Sequence, residues 1–533
     1  MTQPMEASLL RSAATISAWN TVSRITGFGR VLAVGAALGT TFVGNTYQSS
    51  NLVSNLLFEL LAAGLLSAPL VPAFVALIDD GRRDDADRLA GALLGMALVG
   101  LGAVVVVAAL AGPAIMRGLT TMVADPDVRR MQVELGTFFL WFFLPQVLLY
   151  AVLGVATALL NADRRFASGA MAPIANNVLV IATMVAFIVA RDGGESSLAL
   201  PLEHKLLLAL GTSAGVVGMA VVPFVSARRR GFRMRPRWDP RDPSLRAVAR
   251  VGVWGGVLLA AVQVLIGVTL VLANEVRGGV VAYQIAFTFF LLPVALAAHP
   301  VFTALYPRLA GHAHAGRWGG FAADAAEGVR RVLFLVLPAS ALLVAVGEPA
   351  LSLVRMGELD ARGAEMVGRV LAAYALGLAG YGCFLLLARA WTAAGEPRVP
   401  ALVAIGMAAA GAAMMVGGTR LVDGEDRVVA LGVAHSLAMT FGATALFFML
   451  RRHCATALPV RPTLLRSMPI SVVAGVVGLT AATSVYDGTR GSAALAVAAG
   501  TTVVTAVVLG GERLTGGREL SDVVAELRGV ARA

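Results

Sequence analysis

A chain of 533 residues that is 58% hydrophobic and only 14% charged, with a mean hydropathy of +0.78, is excluded from the ordinary soluble class, in which about a quarter of residues carry charge. Its apolar runs recur to the end, so the length reports many membrane spans rather than several soluble domains. The net charge of +11 does not point to nucleic acid, because the arginines sit in short loops where anchoring and orientation account for them.

Runs of about 20 apolar residues predict an all-α, polytopic integral membrane protein of about fourteen transmembrane helices. Span one, near 13–38, contains SAWNTVSRITGFGR. Arg24 falls near mid-membrane, where a charge costs at least ~2.5 kcal/mol and must face protein or a wet cavity. Ser17, Asn20, Arg24 and Gly27 share one helical face, with Arg30 to its side. These residues read either as the cationic lining of a translocation cavity or as a buried arginine paired for packing. Span two, about 46–78, is overlong and interrupted by Pro69 and Pro72. Asn51, Asn55 and Glu59 step by four along it, with Gln48 close to the stripe. Glu59 is a plausible partner for Arg24.

Span three covers about 89–112. Span four, about 133–160, holds Pro145, Gln146 and Tyr150, and Pro145 is expected to kink it. Span five, about 173–191, opens at Pro173 before Asn176 and Asn177, and span six covers about 206–226. A run from Arg228 to Arg246 follows, with Pro236, Pro240 and Pro243. It reads as a linker between halves, either a topological anchor or a binder of anionic headgroups. Spans seven to twelve fall near 250–273, 279–307, 330–353, 366–393, 399–418 and 428–450, and the last two near 468–485 and 492–510. Loops after even-numbered spans are basic and those after odd-numbered spans are not, which puts both termini in the cytoplasm.

The halves echo one another. LLNADRRFASGAMAP, ending at Pro173, resembles LLARAWTAAGEPRVP, ending at Pro400, and LSAPLVPAFVAL in span two resembles AAHPVFTALYPRLA at the end of span eight. The expected layout is therefore an N-terminal six-helix lobe (1–227), a basic cytoplasmic linker (228–249), a C-terminal six-helix lobe (250–452), two extra helices (453–510) and a cytoplasmic tail (511–533). Two parallel repeats place the substrate site between them near the midplane.

Other chemistries find no footing. There is no Walker A loop, no G-x-S-x-G and no nucleotide fingerprint. Cys383 and Cys454 form neither metal spacing nor a disulfide framework. His312 and His314 read as solvated, and His299 as a satisfied core residue. No enzyme, cofactor or metal is expected. The first apolar run is too long for a cleavable signal and holds arginines within it.

Together, SRITGFGR (Ser23–Arg30), AAGLLSAPLVPAF (Ala62–Phe74), LPQVLLY (Leu144–Tyr150), LLNADRRF with Pro173 and Asn177, and ARAWTAAGEPRVP (Ala388–Pro400) resemble the MurJ/MviN family of lipid II flippases, actinobacterial branch, within the MOP superfamily. The resemblance implies movement of a lipid-linked glycan, a peptidoglycan precursor, across a bacterial cytoplasmic membrane by alternating access. It implies a central cationic cavity in which Arg24 and Arg30 meet the diphosphate, and a lipid-tail groove on the last two spans. Membrane lipids and possible cell-wall synthesis proteins are the implied partners. The substrate-binding set comprises Arg24, Arg30, Asn20, Asn45, Gln48, Asn55, Glu59 and Gln284. Asn45 aligns with a usually acidic position. The family's basic pair in span two falls at Phe58 and Glu59, and its span-eight arginine falls near Thr288. Alternatives are an ion-coupled exporter of the multidrug type, a flippase for another polyprenyl-linked glycan, and a non-transporting scaffold.

Overall fold

The computed structural model describes residues 3–60, 70–191, 197–239 and 243–516, with the side chains of 3–17 and 243–252 outside the description. The side chain of Ser17, most of Ala62–Phe74, Arg241, the side chain of Arg246 and the tail beyond 516 therefore lie outside the described residues. What is described is helical, with no strand. The polypeptide forms two units, Met1–Val281 with Met356–Leu359, and Ala282–Arg355 with Asp360–Ala533.

In the first unit, α1 (Gln3–Leu38) is followed by α2 (Phe42–Phe58), α3 (Leu70–Asp79), α4 (Arg83–Leu110), the short α5 (Gly112–Leu119), α6 (Pro126–Phe143), α7 (Gln146–Ala162), α8 (Ala167–Ala190), α9 (Leu202–Arg229) and α10 (Pro243–Ala273). The second unit holds most of α11 (Gly279–Pro293), then α12 (His299–His314), α13 (Trp318–Val354), α14 (Ala361–Ala375), α15 (Leu378–Ala393), α16 (Arg398–Thr419), α17 (Asp426–His453), α18 (Arg461–Thr483) and α19 (Arg490–Leu514). Eleven helical stretches among the described residues are long and apolar enough to cross a bilayer, and α14–α15, bent by 49°, makes a twelfth. The expected count of fourteen is not reached among the described residues; the two further spans are expected where α1 lies and where α2 and α3 flank residues 61–69.

The helices themselves carry the repeat. The second span of each half widens into a π-helical turn, at Glu59–Leu60 and at Val294–Ala298. The fourth span of each half is broken, between α6 and α7 and between α14 and α15. Pro145 explains the first break, since it lacks the N–H a continuous helix would use. The released Phe142 carbonyl accepts from Ser213 Oγ on α9 at 3.0 Å. The second break has no proline. There Ser436 of α17 donates to the carbonyls of Ala373 and Tyr374 at 2.8 and 3.1 Å, and a Cβ on Gly377 would collide with Ser436. Ser213 of α9 and Ser436 of α17 thus each take up a carbonyl at a helix break.

Two sequence expectations are corrected, and the structure adds detail to the linker. His299 is exposed, not a core residue. His312 is not simply solvated: its Nε2 faces Asp324 at 3.3 Å, beside Arg308 on the same carboxylate at 2.6 Å. The Arg228 run is not a free loop: Phe232 and Met234 are buried, and the Arg237 N–H donates to the Gly91 carbonyl of α4 at 2.8 Å.

In the second unit, α18 and α19 pack on α13 around Ala341, Ala345, Val346, Ala474, Val504 and Val508. Glu512, 2% exposed, meets Arg466 at 2.9 Å and accepts from Ser467 Oγ at 2.6 Å. Removing one partner of a buried pair costs about 3–5 kcal/mol. Glu512→Ala is expected to lower the thermal midpoint of the detergent-solubilised protein by a matching amount. An unchanged midpoint would show that the pair contributes nothing.

Candidate functional site

Within the first unit, α1 lies along α8. Asn177 Nδ2 donates to Ser23 O at 3.2 Å and contacts Thr26 Oγ1 at 3.1 Å. Gly27 and Gly29 lie on the same side of α1, where an added Cβ would stand 3.4 Å from Asn177 and 3.6 Å from Ile181, ordinary contact distances. The Asn177 contact fixes the rotation of α1. Arg24 is exposed and Arg30 is half-buried. The two are six residues apart, about 9 Å along the axis and a third of a turn around it, so they do not share a face.

Arg30 points inward. Its charge lies within electrostatic reach of the Tyr47 and Tyr150 hydroxyls. Its Nε is buried and has no hydrogen-bond partner among the described residues. Neither arginine makes an ion pair with a described residue, and neither does Glu59, so the expected Arg24–Glu59 pairing is not formed. A half-buried guanidinium with no carboxylate partner among the described residues suits an anion, since its fork of donors fits phosphate oxygens.

The α2 stripe divides in two. At its start, Asn45 is fully engaged: Nδ2 donates to Val276 O at 2.8 Å, and Oδ1 accepts from the Val280 N–H at 3.0 Å. Asn274 Nδ2 donates to Ser49 Oγ at 2.9 Å beside it. Asn45 is therefore a structural staple on the turn before α11. Asn45→Ala leaves a buried N–H and C=O unpaired, at about 1–3 kcal/mol each. The expected result is a clear loss of thermal stability, checked by the unfolding midpoint in detergent, with Asn45→Asp keeping only the acceptor half. Further along, Gln48, Asn51, Asn55 and Glu59 make no side-chain hydrogen bond to a described residue. The last three are half-exposed. They present free amide and carboxylate groups along one face.

Asn20 is exposed on α1. Gln284 belongs to the second unit, half-buried on α11, one turn before Thr288, whose hydroxyl bonds the Gln284 carbonyl at 2.8 Å. Tyr47–Gln48 and Tyr283–Gln284 occupy equivalent places in the two halves. Tyr47 is buried with its hydroxyl 2.7 Å from Thr212 and its ring against Phe139 and Phe143. Tyr283 is buried against Phe287 and Tyr374.

Sequence reasoning missed two features. Arg191, at the end of α8, pairs with Glu358 at 2.7 Å, and the Glu358 N–H donates to Ala36 O at 2.9 Å. His435 is buried among Phe287, Phe290 and Tyr374 with Nε2 unpartnered. No run of like residues marks either one.

Broken helices and eleven or twelve apolar spans among the described residues define a multi-pass membrane protein. The model of the family described as "Lipid II flippase MurJ" matches residues 34–498, and the chain belongs to that family. The match begins after Arg30. A "Probable lipid II flippase MurJ" of Rhizobium meliloti is 27% identical over 403 residues, 74% of this chain and 72% of the relative. One from Rhizobium tropici is 25% identical over 394 residues, with the same coverage. Among solved structures, a "Lipid II flippase MurJ, inward closed conformation" superposes with TM-score 0.70 at 15% identity, covering 93% of this chain and 98% of that one. An inward-facing multidrug resistance MATE family transporter of the MOP superfamily reaches 0.62 at 13% identity, over 80% and 94%.

Proposed function

We propose that this protein moves lipid II, a polyprenyl-diphosphate-linked peptidoglycan precursor, from the inner to the outer leaflet of the bacterial cytoplasmic membrane by alternating access. Membership of the family supports the reading. The observation that carries it is Arg30, a half-buried guanidinium without a counter-ion among the described residues. The diphosphate supplies that counter-ion. Free amides at Gln48 and Asn55 suit the sugar hydroxyls, and Gln284 is assigned the equivalent role in the second half. Arg24, exposed on the same helix, and Asn20 take an approaching headgroup. The two six-helix lobes would move about the substrate, with both termini cytoplasmic, the polyprenyl tail along α18 and α19, and cell-wall synthesis proteins as partners. No covalent chemistry is required.

The test is rescue of a bacterium depleted of its own lipid II flippase, together with a reconstituted assay of lipid II exposure on the outer leaflet. Failure of well-expressed protein in both would end the reading. An ion-coupled multidrug exporter would instead confer drug resistance that Glu59→Gln abolishes.

A further inference from the structure

The arginines from Arg228 to Arg237 do more than a topological signal requires. Orientation needs only positive charge near a span, and a disordered loop supplies it. Here the segment after α9 is held in place. Gly231 turns the chain at φ +91°, and Met234 sits at φ +39°, a left-handed conformation unusual for a residue with a side chain. Phe232 and Met234 are buried. The Arg233 N–H donates to the Asp87 carboxylate at 2.9 and 3.0 Å, and the Arg237 N–H to Gly91 O at 2.8 Å. Gly91 and Gly95 make room: a Cβ on either would collide with the carbonyls of Arg235 and Arg237.

This docking turns the apolar side chains inward and the guanidinium groups outward. Arg229, Arg230, Arg233, Arg235 and Arg237 are all exposed, and none makes an ion pair with a described residue. Three other arginines at the same end meet carboxylates: Arg82 and Arg88 share Asp85, and Arg83 pairs with Asp163. Trp238 follows the array and is 62% exposed. An exposed indole beside unpaired guanidinium groups, at the end of a membrane-spanning helix, matches headgroup depth. Guanidinium forks held by a fixed backbone suit phosphate oxygens.

We propose that the 228–239 strap is a binding surface for anionic phospholipid headgroups of the surrounding membrane. The strap's order fixes the spacing of the arginines, and α4 supplies that order through its two glycines. The proposal does not depend on which substrate the protein moves.

The test uses full-length protein in mild detergent, with phosphatidylglycerol and phosphatidylcholine as probes and bound lipid counted by native mass spectrometry. Arg235→Gln/Arg237→Gln is expected to weaken phosphatidylglycerol binding about tenfold and leave phosphatidylcholine unchanged. Arg451→Gln/Arg452→Gln, which removes equal charge from the end of α17, is expected to have no such effect. Gly95→Leu keeps every charge but expels the strap, and its loss is expected to match that of the arginine variant. Undiminished phosphatidylglycerol binding in Arg235→Gln/Arg237→Gln, or an equal loss in the Arg451/Arg452 control, overturns the proposal. If Gly95→Leu fails to fold, the arginine pair and its control still decide.

Discussion

Arg30→Ala is expected to abolish rescue of a flippase-depleted host while protein level and thermal midpoint stay close to those of the parent. The Arg30 side chain makes no ion pair that truncation would break, so folding loses little. Substrate binding loses a charge-assisted contact of about 1.5–3 kcal/mol, roughly a ten- to hundredfold fall in apparent affinity for lipid II. Arg30→Lys keeps the charge but loses the bidentate fork, so it should retain partial activity. Arg24→Ala should reduce transport less, because Arg24 is exposed and water competes for its contacts. Full rescue by Arg30→Ala would remove the guanidinium from the transport pathway.

Breaking the Arg191–Glu358 pair is expected to loosen one end of the first unit. The loop after α13 carries Glu358 onto the end of α1, where a Cβ on Gly39 or Gly357 would strike the opposing backbone. Arg191 and Glu358 are 11% and 22% exposed, and Arg191 also lies over the Phe187 ring. Losing one partner of so dry a pair costs about 3 kcal/mol, a shift of roughly a hundredfold in a two-state equilibrium. Leu359, 2% exposed, reports the change. With Cys383 and Cys454 replaced by alanine, Leu359→Cys should react with a maleimide at least about tenfold faster when Arg191→Ala is added. The swap Arg191→Glu/Glu358→Arg should restore slow labelling and transport. Equal labelling in all three backgrounds would mean that the pair does not hold the loop. The strap at 228–239 lies at the opposite end of the unit, since α8 runs about 36 Å from Ala167 to Ala190 and Arg83 links the α7–α8 loop to Phe232.

The departures from sequence expectation share one cause. Glu59 is the nearest intramembrane carboxylate in the chain to Arg24, yet α1 is tied to α8 through Asn177, and the two charges do not pair among the described residues. Asn45 reads as a cavity residue from its place on a polar stripe, but its amide is consumed by the turn before α11, more than 230 positions later in the chain. Arg228–Arg246 reads as a loop because prolines and arginines fill it. The docking of residues 228–239 depends on two small residues of α4, Gly91 and Gly95, that look like ordinary packing glycines.

By itself, the sequence determined the class, the helical make-up and the presence of arginine inside the first span. Those properties follow from local quantities: run length against bilayer thickness, the 3.6-residue period, and the placement of proline and of loop charge. Only the tertiary structure decided which polar groups are spent and which are free. Ser213 and Ser436 cap the bends of helices far from them in the chain, Asn45 and Glu358 are bound into turns, and Arg30 and the strap arginines are left over. Satisfaction of a polar group depends on what approaches it within about 3 Å, and that neighbour is set by helix rotation and packing rather than by any residue nearby in the chain.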